Sequence, residues 1–210
     1  MQRFILSVLA ASFCLTGFAQ AQRPHPVVPT SARWVINGHS TMALGTSVSD
    51  AFNEVKTSSG LGAGVEVGYR VTPRLLAYAG LEIAKQPVDA VELEGDYGLT
   101  HLEAGARLSF PRAGSKIMPY VGLWVGRRSL STTLENFDTG ATADFSMSGM
   151  AAGASGGVQL FLSPKLALDG GLSIGVGKMG NVKVDGEKQV TQGLGSTTTT
   201  RLRFGANWYP

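Results

Sequence analysis

Between Leu61 and Ile83 a strict period of two runs through two consecutive segments and the turn that joins them. Ala63, Val65, Val67, Tyr69 and Val71 alternate with Gly62, Gly64, Glu66, Gly68 and Arg70. Successive side chains of a strand point to opposite faces, so this segment has one greasy face and one small or charged face. Thr72-Pro73-Arg74 interrupts it, because Pro fixes φ and lacks a ladder donor. The pattern then restarts with Leu75, Ala77, Ala79, Leu81 and Ile83 set against Leu76, Tyr78, Gly80 and Glu82. The spacing predicts a tight β-hairpin.

The same alternation recurs along the chain. A first strand is expected from about Arg33 to Leu44, with weaker alternation. Leu99 to Phe110 sets Leu102, Ala104, Ala106, Leu108 and Phe110 against His101, Glu103, Gly105, Arg107 and Ser109. Pro119 to Leu130 repeats it, with Val121, Leu123 and Val125 opposite Tyr120, Gly122, Trp124, Gly126 and Arg128. Phe145 to Leu162 is rich in small residues and ambiguous in register. Leu166 to Lys178 places Leu166, Leu168, Leu172, Ile174 and Val176 against Ala167, Asp169, Gly171, Ser173 and Gly175. Thr197 to Tyr209 places Leu202, Phe204, Ala206 and Trp208 against Arg201, Arg203, Gly205 and Asn207. The sequence therefore predicts an all-β chain of eight strands.

What lies before the strands bears on where they fold. Arg3, the apolar run Phe4 to Ala11 and the exit Ala19-Gln20-Ala21 have the form of a secretory signal peptide, so residues 1–21 are expected to be removed. An uncleaved anchor would need a longer apolar run. The single cysteine, Cys14, lies inside that segment, so the expected mature chain has neither disulfide nor thiolate metal site. Residues 22–32, with Pro24, Pro26 and Pro29, form an extended lead-in, and 33–210 the strand domain. With 43% hydrophobic and 16% charged residues the chain is too apolar for disorder. Its net charge of +3 includes Arg3 and no basic patch is interleaved with aromatics, which argues against nucleic acid. Beyond the leader no run is long enough for a spanning helix. An exported chain of this kind enters a membrane only as a closed barrel.

Connection lengths and aromatic placement point the same way. Thr72-Pro73-Arg74, Pro111 to Lys116 and Ser163-Pro164-Lys165 are short, whereas Gly45 to Gly60, Gln86 to Gly98, Ser131 to Ala143 and Met179 to Ser196 are longer and polar. Short and long connections alternate, which is the asymmetry of antiparallel transmembrane barrels with short periplasmic turns and longer extracellular loops. A lipocalin-like soluble barrel would use similar strands with the apolar face inward. Trp34, Tyr69, Phe110 and Trp208 decide against it: all fall on the apolar face near the short-turn ends, as an aromatic girdle at a membrane interface.

On the Gly62 to Arg70 alternation, its Val71-Thr72-Pro73-Arg74 turn and the final strand, the chain resembles the small outer-membrane β-barrels of Gram-negative bacteria, the OmpA/OmpX-like group. The resemblance spans essentially all of residues 33–210. It implies an outer-membrane location, surroundings of outer-membrane lipid and lipopolysaccharide, and insertion by the barrel assembly machinery. That machinery reads a polar residue, a Gly two later and terminal aromatics, which Arg203, Gly205 and Trp208 fit, although Pro210 stands where a last aromatic is usual. It leaves activity open among adhesins, structural anchors, narrow pores and a few lipid-modifying enzymes.

The inward face supplies the candidate site. Glu66, Glu82, Glu103 and Asp169 face the same interior as Arg70, Arg107, Arg128, Arg201 and Arg203. An eight-stranded barrel is just wide enough for side chains to fill, so these charges are expected to pair, either as a fixed network or as a gated polar path in which Asp169 and Arg203 exchange partners. Two G-x-S-x-G matches, at Gly153 to Gly157 and Gly171 to Gly175, lack the following helix a nucleophile elbow requires. His101 is expected to pair in the lumen with Glu103 or a neighbour and His39 to lie near the outer rim, where lipid-modifying barrels work; no second His or Cys gives metal-ligand spacing. Gln86 to Gly98 carries Asp89, Glu92, Glu94 and Asp96 without a base, a field for divalent cations or a basic partner surface. Asp185-Gly186 reads as the tip of a hairpin prolonging the neighbouring strands. The expected function is structural or a surface interaction through the loops, possessing no cofactor and no catalysis; a narrow passive channel is the first alternative and a lipid-modifying enzyme the second.

Overall fold

The computed structural model describes residues 32–49, 54–56, 59–87, 96–135, 142–184, 187–189 and 196–210. The expected leader, most of the Pro-rich segment, Asp89, Glu92, Glu94 and the Asp185-Gly186 tip lie outside the described residues.

Eight long strands form the wall: β1 (Trp34–Ser49), β2 (Gly60–Arg70), β3 (Leu75–Pro87), β4 (Asp96–Ser109), β5 (Ile117–Glu135), β6 (Thr142–Ser163), β7 (Leu166–Val184) and β8 (Ser196–Trp208). Two short pieces, Glu54–Lys56 against β1 and Glu187–Gln189 against β7, extend it. Every neighbouring pair is antiparallel, and β8 pairs with both β7 and β1, so the eight long strands close on themselves. Partner-to-partner steps from Ala43 through Arg201, Ser173, Ser155, Gly122, Arg107 and Leu76 arrive at Arg70, whose N–H donates to Arg33 O. The ladder thus meets β1 again well below its starting point, which is the stagger that strand tilt requires.

The turns follow from their residues. Thr72 Oγ1 accepts from the N–H groups of Arg74 and Leu75, at 3.3 and 3.0 Å, and so closes the first hairpin around Pro73. Gly114, at φ 72°, takes the left-handed position between β4 and β5. The strands run further at the loop end than the alternation predicts: β1 reaches Ser49 rather than Leu44, β5 reaches Glu135 and β7 reaches Val184. Beyond the outward apolar belt the wall no longer faces hydrocarbon, so the sequence loses its period there while the backbone ladder still satisfies its donors. The register of β6, ambiguous in sequence, is fixed by its partners, with Ala151, Gln159 and Phe161 inward and Met150, Val158 and Leu160 outward.

The barrel is inverted relative to a soluble protein. On β4, Leu102 is 57% exposed and its neighbour Glu103 only 3%. Val65, Leu81, Leu123, Ile174 and Phe204 are likewise exposed, whereas Glu66, Arg107, Arg201 and Arg203 are buried. Water would penalise this distribution and hydrocarbon rewards it. Outward side chains from Leu166 to Val176 on β7 cover about 33 Å of strand, or about 25 Å of height at the usual tilt, which matches the apolar band of a spanning barrel. The lipocalin-like alternative is excluded by this polarity.

Candidate functional site: the layered lumen

Three layers of side chains occupy the interior. At the short-turn end Val35, Leu76, Met118, Phe161, Ala167 and Tyr209 form an apolar cluster, with Phe161 and Tyr209 rings 5.5 Å apart. Toward the loop end Ala84, Leu99, Leu130 and Met179 form a second, with Met147 packed against it. Between them lies the polar layer, where the buried set holds four carboxylates (Glu66, Glu82, Glu103, Asp169) and four guanidinium groups (Arg107, Arg128, Arg201, Arg203).

Three of the carboxylates meet three of the arginines. Arg201 spans two of them, with Nη1 3.1 Å from Glu82 Oε2 and Nη2 3.0 Å from Glu103 Oε2. Arg203 Nη2 lies 2.8 Å from Glu103 Oε1 and 3.4 Å from Glu82 Oε2, while its Nη1 lies 3.6 Å from Glu66 Oε2. Arg107 donates to Glu66 Oε2 at 2.7 Å and sits between two rings, 4.5 Å from the centre of Tyr78 and 5.1 Å from that of Tyr120. A guanidinium is planar and weakly hydrated, so it can bridge carboxylates edge-on and cover aromatic faces at once, which a lysine cannot.

His101 lies in this layer, its Nδ1 2.6 Å from Arg201 Nη1 and 3.3 Å from Glu103 Oε2, with its ring edge-to-face against Trp124 at 5.0 Å. His39 departs from its expected place. It is not at the rim but inside the lumen, with Nδ1 2.8 Å from Asn37 Oδ1 and Nε2 3.5 Å from Glu82 Oε2. Its position on β1, opposite Gly64 and Gly205, brings the ring to the barrel's middle because neither neighbour has a side chain to exclude it.

Two further expectations change. Asp169 does not pair with Arg203. Tyr120 Oη donates to its Oδ1 at 2.9 Å, and Asn207 Nδ2 and Gln159 Nε2 donate to its Oδ2 at 3.0 and 3.1 Å. On the ladder Asp169 faces Gly205 while Arg203 faces Gly171, which sets the two charges at different heights. Arg128 stands apart from the carboxylates: its Nη1 donates to Thr199 Oγ1 at 2.6 Å and the guanidinium lies 5.3 Å from the Trp124 ring. Arg70 lies at the short-turn end, over the Tyr209 ring at 5.3 Å.

The lumen aromatics were on the inward face in sequence but had no assigned role. Trp124 is the main one. Its Nε1 donates to Ser173 Oγ at 2.9 Å, and Arg201 and Arg128 both lie over its ring. The indole fits because Gly153 and Gly175 face it; a Cβ on either would overlap the ring. Tyr209 Oη, from the last residue but one, donates to Gln159 Oε1 at 2.9 Å and so ties the C-terminus to the Asp169 group. The parity of alternation could have flagged these residues as lumen-facing, and nothing shorter in range could have.

Ser155 and Ser173, the centres of the two G-x-S-x-G matches, face each other across β6 and β7 in mid-strand, and the described residues contain no helix to make an elbow. Among the described residues no group of three or more His, Cys, Asp or Glu converges as a metal site. On the outside, Trp34 and Tyr69 meet edge-to-face at 5.1 Å, and Ile36 opposite Trp208 and Phe110 bonded to Pro119 O place the other two aromatics at the same end.

No family model matches this sequence, and no curated protein matches it. Solved structures do match in fold. Neisserial surface protein A superposes with a TM-score of 0.56 at 16% identity, over 84% of this chain and 97% of that one. OprG, an outer membrane protein from Pseudomonas aeruginosa, gives 0.57 at 11%, over 86% and 97%. Ail, the attachment invasion locus protein of Yersinia pestis, gives 0.51 at 12%, over 84% and 98%. Closed antiparallel topology, an outward apolar belt and these likenesses together give the chain the fold of the small bacterial outer-membrane β-barrels, the OmpA/OmpX-like architecture.

Proposed function

We propose that this protein is an exported outer-membrane barrel with a closed, structural lumen, whose outer loops carry an envelope or surface-interaction role without catalysis. The observation that carries this reading is the layering. The ion pairs of Arg107, Arg201 and Arg203 lie between two apolar clusters, so an ion crossing the barrel would have to part both clusters as well as the charged layer. Carboxylates held this way resist exchange, since removing one partner of a buried pair costs about 3–5 kcal/mol. His39 Nδ1 and Nε2 lie against Asn37 and Glu82, and His101 Nδ1 lies against Arg201 and Glu103, contacts that tie both rings into the ion-pair network and support a structural role. Interaction would fall to the loop end, where the acidic segment from Gln86 to Gly98 offers complementarity to a basic partner surface.

The test is conductance of the refolded protein in a planar bilayer, for wild type and for a variant with Leu130→Gly and Met179→Gly, which thins the loop-end cluster. Silence in wild type and openings only in the variant are expected. Discrete openings in wild type would make the narrow passive channel the better account. That second reading is favoured by lumen polar atoms without a partner among the described residues, including Thr41 Oγ1, Tyr78 Oη and Ser155 Oγ, which would suit a water path.

A further inference from the structure

The outer wall is not uniformly apolar at its upper edge. Arg127 on β5, Met150 on β6 and Lys178 on β7 are consecutive ladder partners, and all three point outward and are exposed. Two ladder steps separate the two cations by about 10 Å. Arg127 Nη2 donates to Ser148 Oγ at 3.2 Å, which steers its side chain along the wall on the β6 side. Directly below, toward the short-turn end, Val125, Ala152 and Val176 form the next outward row. The small Ala152 between two valines leaves a shallow, open depression that Met150, Lys178 and Ser196 border from above.

Height decides what this depression can hold. The outward residues of β7 are apolar from Leu166 to Val176 and stop at Lys178; those of β5 are apolar from Ile117 to Val125 and stop at Arg127. Both strands thus leave the apolar band at the same level, its loop-end boundary, where hydrocarbon gives way to headgroups. An apolar depression in the band, bordered by Lys178 and with Arg127 two ladder steps away at the same level, is complementary to a molecule with an acyl chain below and a negative group above. We propose that Arg127, Lys178 and the depression beneath them bind a phosphorylated lipid of the outer leaflet, the phosphate between the two cations and one acyl chain in the recess lined by Val125, Ala152 and Val176. The site rests on the membrane-spanning reading for its orientation, and on neither the closed lumen nor the loops. Each cation near an anionic membrane surface contributes on the order of 1 kcal/mol, so the pair accounts for about thirtyfold in affinity.

The test is native mass spectrometry of the full barrel released from detergent in the presence of bisphosphorylated lipid A, with its dephosphorylated form as comparison. Folding of every sample is read separately from heat-dependent gel mobility, so failure to form a barrel is distinguished from failure to bind. Wild type is expected to retain lipid A. Arg127→Ala with Lys178→Ala should lower retention about thirtyfold. Ala152→Trp, which fills the recess and keeps both charges, should lower it as well. Lys85→Ala, an outward lysine on β3 away from the recess, should leave it unchanged. Equal retention by the folded double variant, equal retention of the dephosphorylated lipid by wild type, or an equal loss on Lys85→Ala would each overturn the site.

Discussion

Two neighbouring regions of one lumen bury their carboxylates in opposite ways. Around Arg201 and Arg203 the carboxylates of Glu66, Glu82 and Glu103 are held by guanidinium groups at 2.8–3.6 Å. A few residues toward the short-turn end, Asp169 is held by a phenol and two amides at 2.9–3.1 Å. The first arrangement balances charge with charge and crowds several groups together. The second disperses one charge over three neutral donors and anchors them in turn, with Tyr209 on Gln159 and Asn37 on Asn207. Ion pairs repay desolvation only when geometry and additional hydrogen bonds are good, whereas neutral donors cost less to bury in the first place. The difference implies that the centre is the more sensitive region to loss of one member.

Arg201→Ala is the substitution that loads this comparison most heavily. It removes bonds to Glu82 and Glu103 together and should destabilise the barrel by about 3–5 kcal/mol in urea unfolding from lipid vesicles. Adding Glu82→Gln to that variant should recover part of the loss, because it removes the one carboxylate left in excess while Arg203 keeps Glu103 at 2.8 Å. Tyr120→Phe takes a single neutral donor from Asp169 and should cost about 1.5–3 kcal/mol in the same measurement. If it equalled or exceeded Arg201→Ala, the two regions would not differ in the way their geometry implies. Smallest is Thr199→Val, which keeps the shape and removes the acceptor of Arg128; with that guanidinium still against Trp124, a loss of about 1.5 kcal/mol, the low end for a bond to a charged group, is expected. A larger loss would place Arg128 in the charged network rather than beside it.

Legibility in the sequence followed the range of the interaction. Which side of each strand faces the lumen was readable wherever one face is apolar, because the pleat repeats every two residues: Glu66, Glu82, Glu103, Asp169, Arg107, Arg128, Arg201 and Arg203 all point inward as the alternation requires. In β6 from Phe145 to Leu162 it was not, since Gly, Ala and Ser populate both faces and only pairing with Tyr120 to Leu130 on β5 settles the register. His39 was misplaced for a related reason. The alternation of β1 is weak, and its depth in the barrel depends on β2 and β8 presenting Gly64 and Gly205 beside it.

Alternation and the alternating short and long connections were enough to point to a closed antiparallel barrel, and the aromatics Trp34, Tyr69, Phe110 and Trp208 turned its apolar face outward and its polar face inward, the arrangement that satisfies a strand backbone in hydrocarbon. Partner choice inside that barrel belonged to the tertiary structure alone. Arg201 and Glu82 are 119 residues apart, and whether they meet depends on how far each ladder has climbed the tilted wall. Asp169 and Arg203 sit on adjacent strands and still miss each other by one pleat repeat, Arg203 facing Gly171 and Asp169 facing Gly205. A period of two fixes direction but carries no information on height, and height is set by the stagger that closing eight strands imposes.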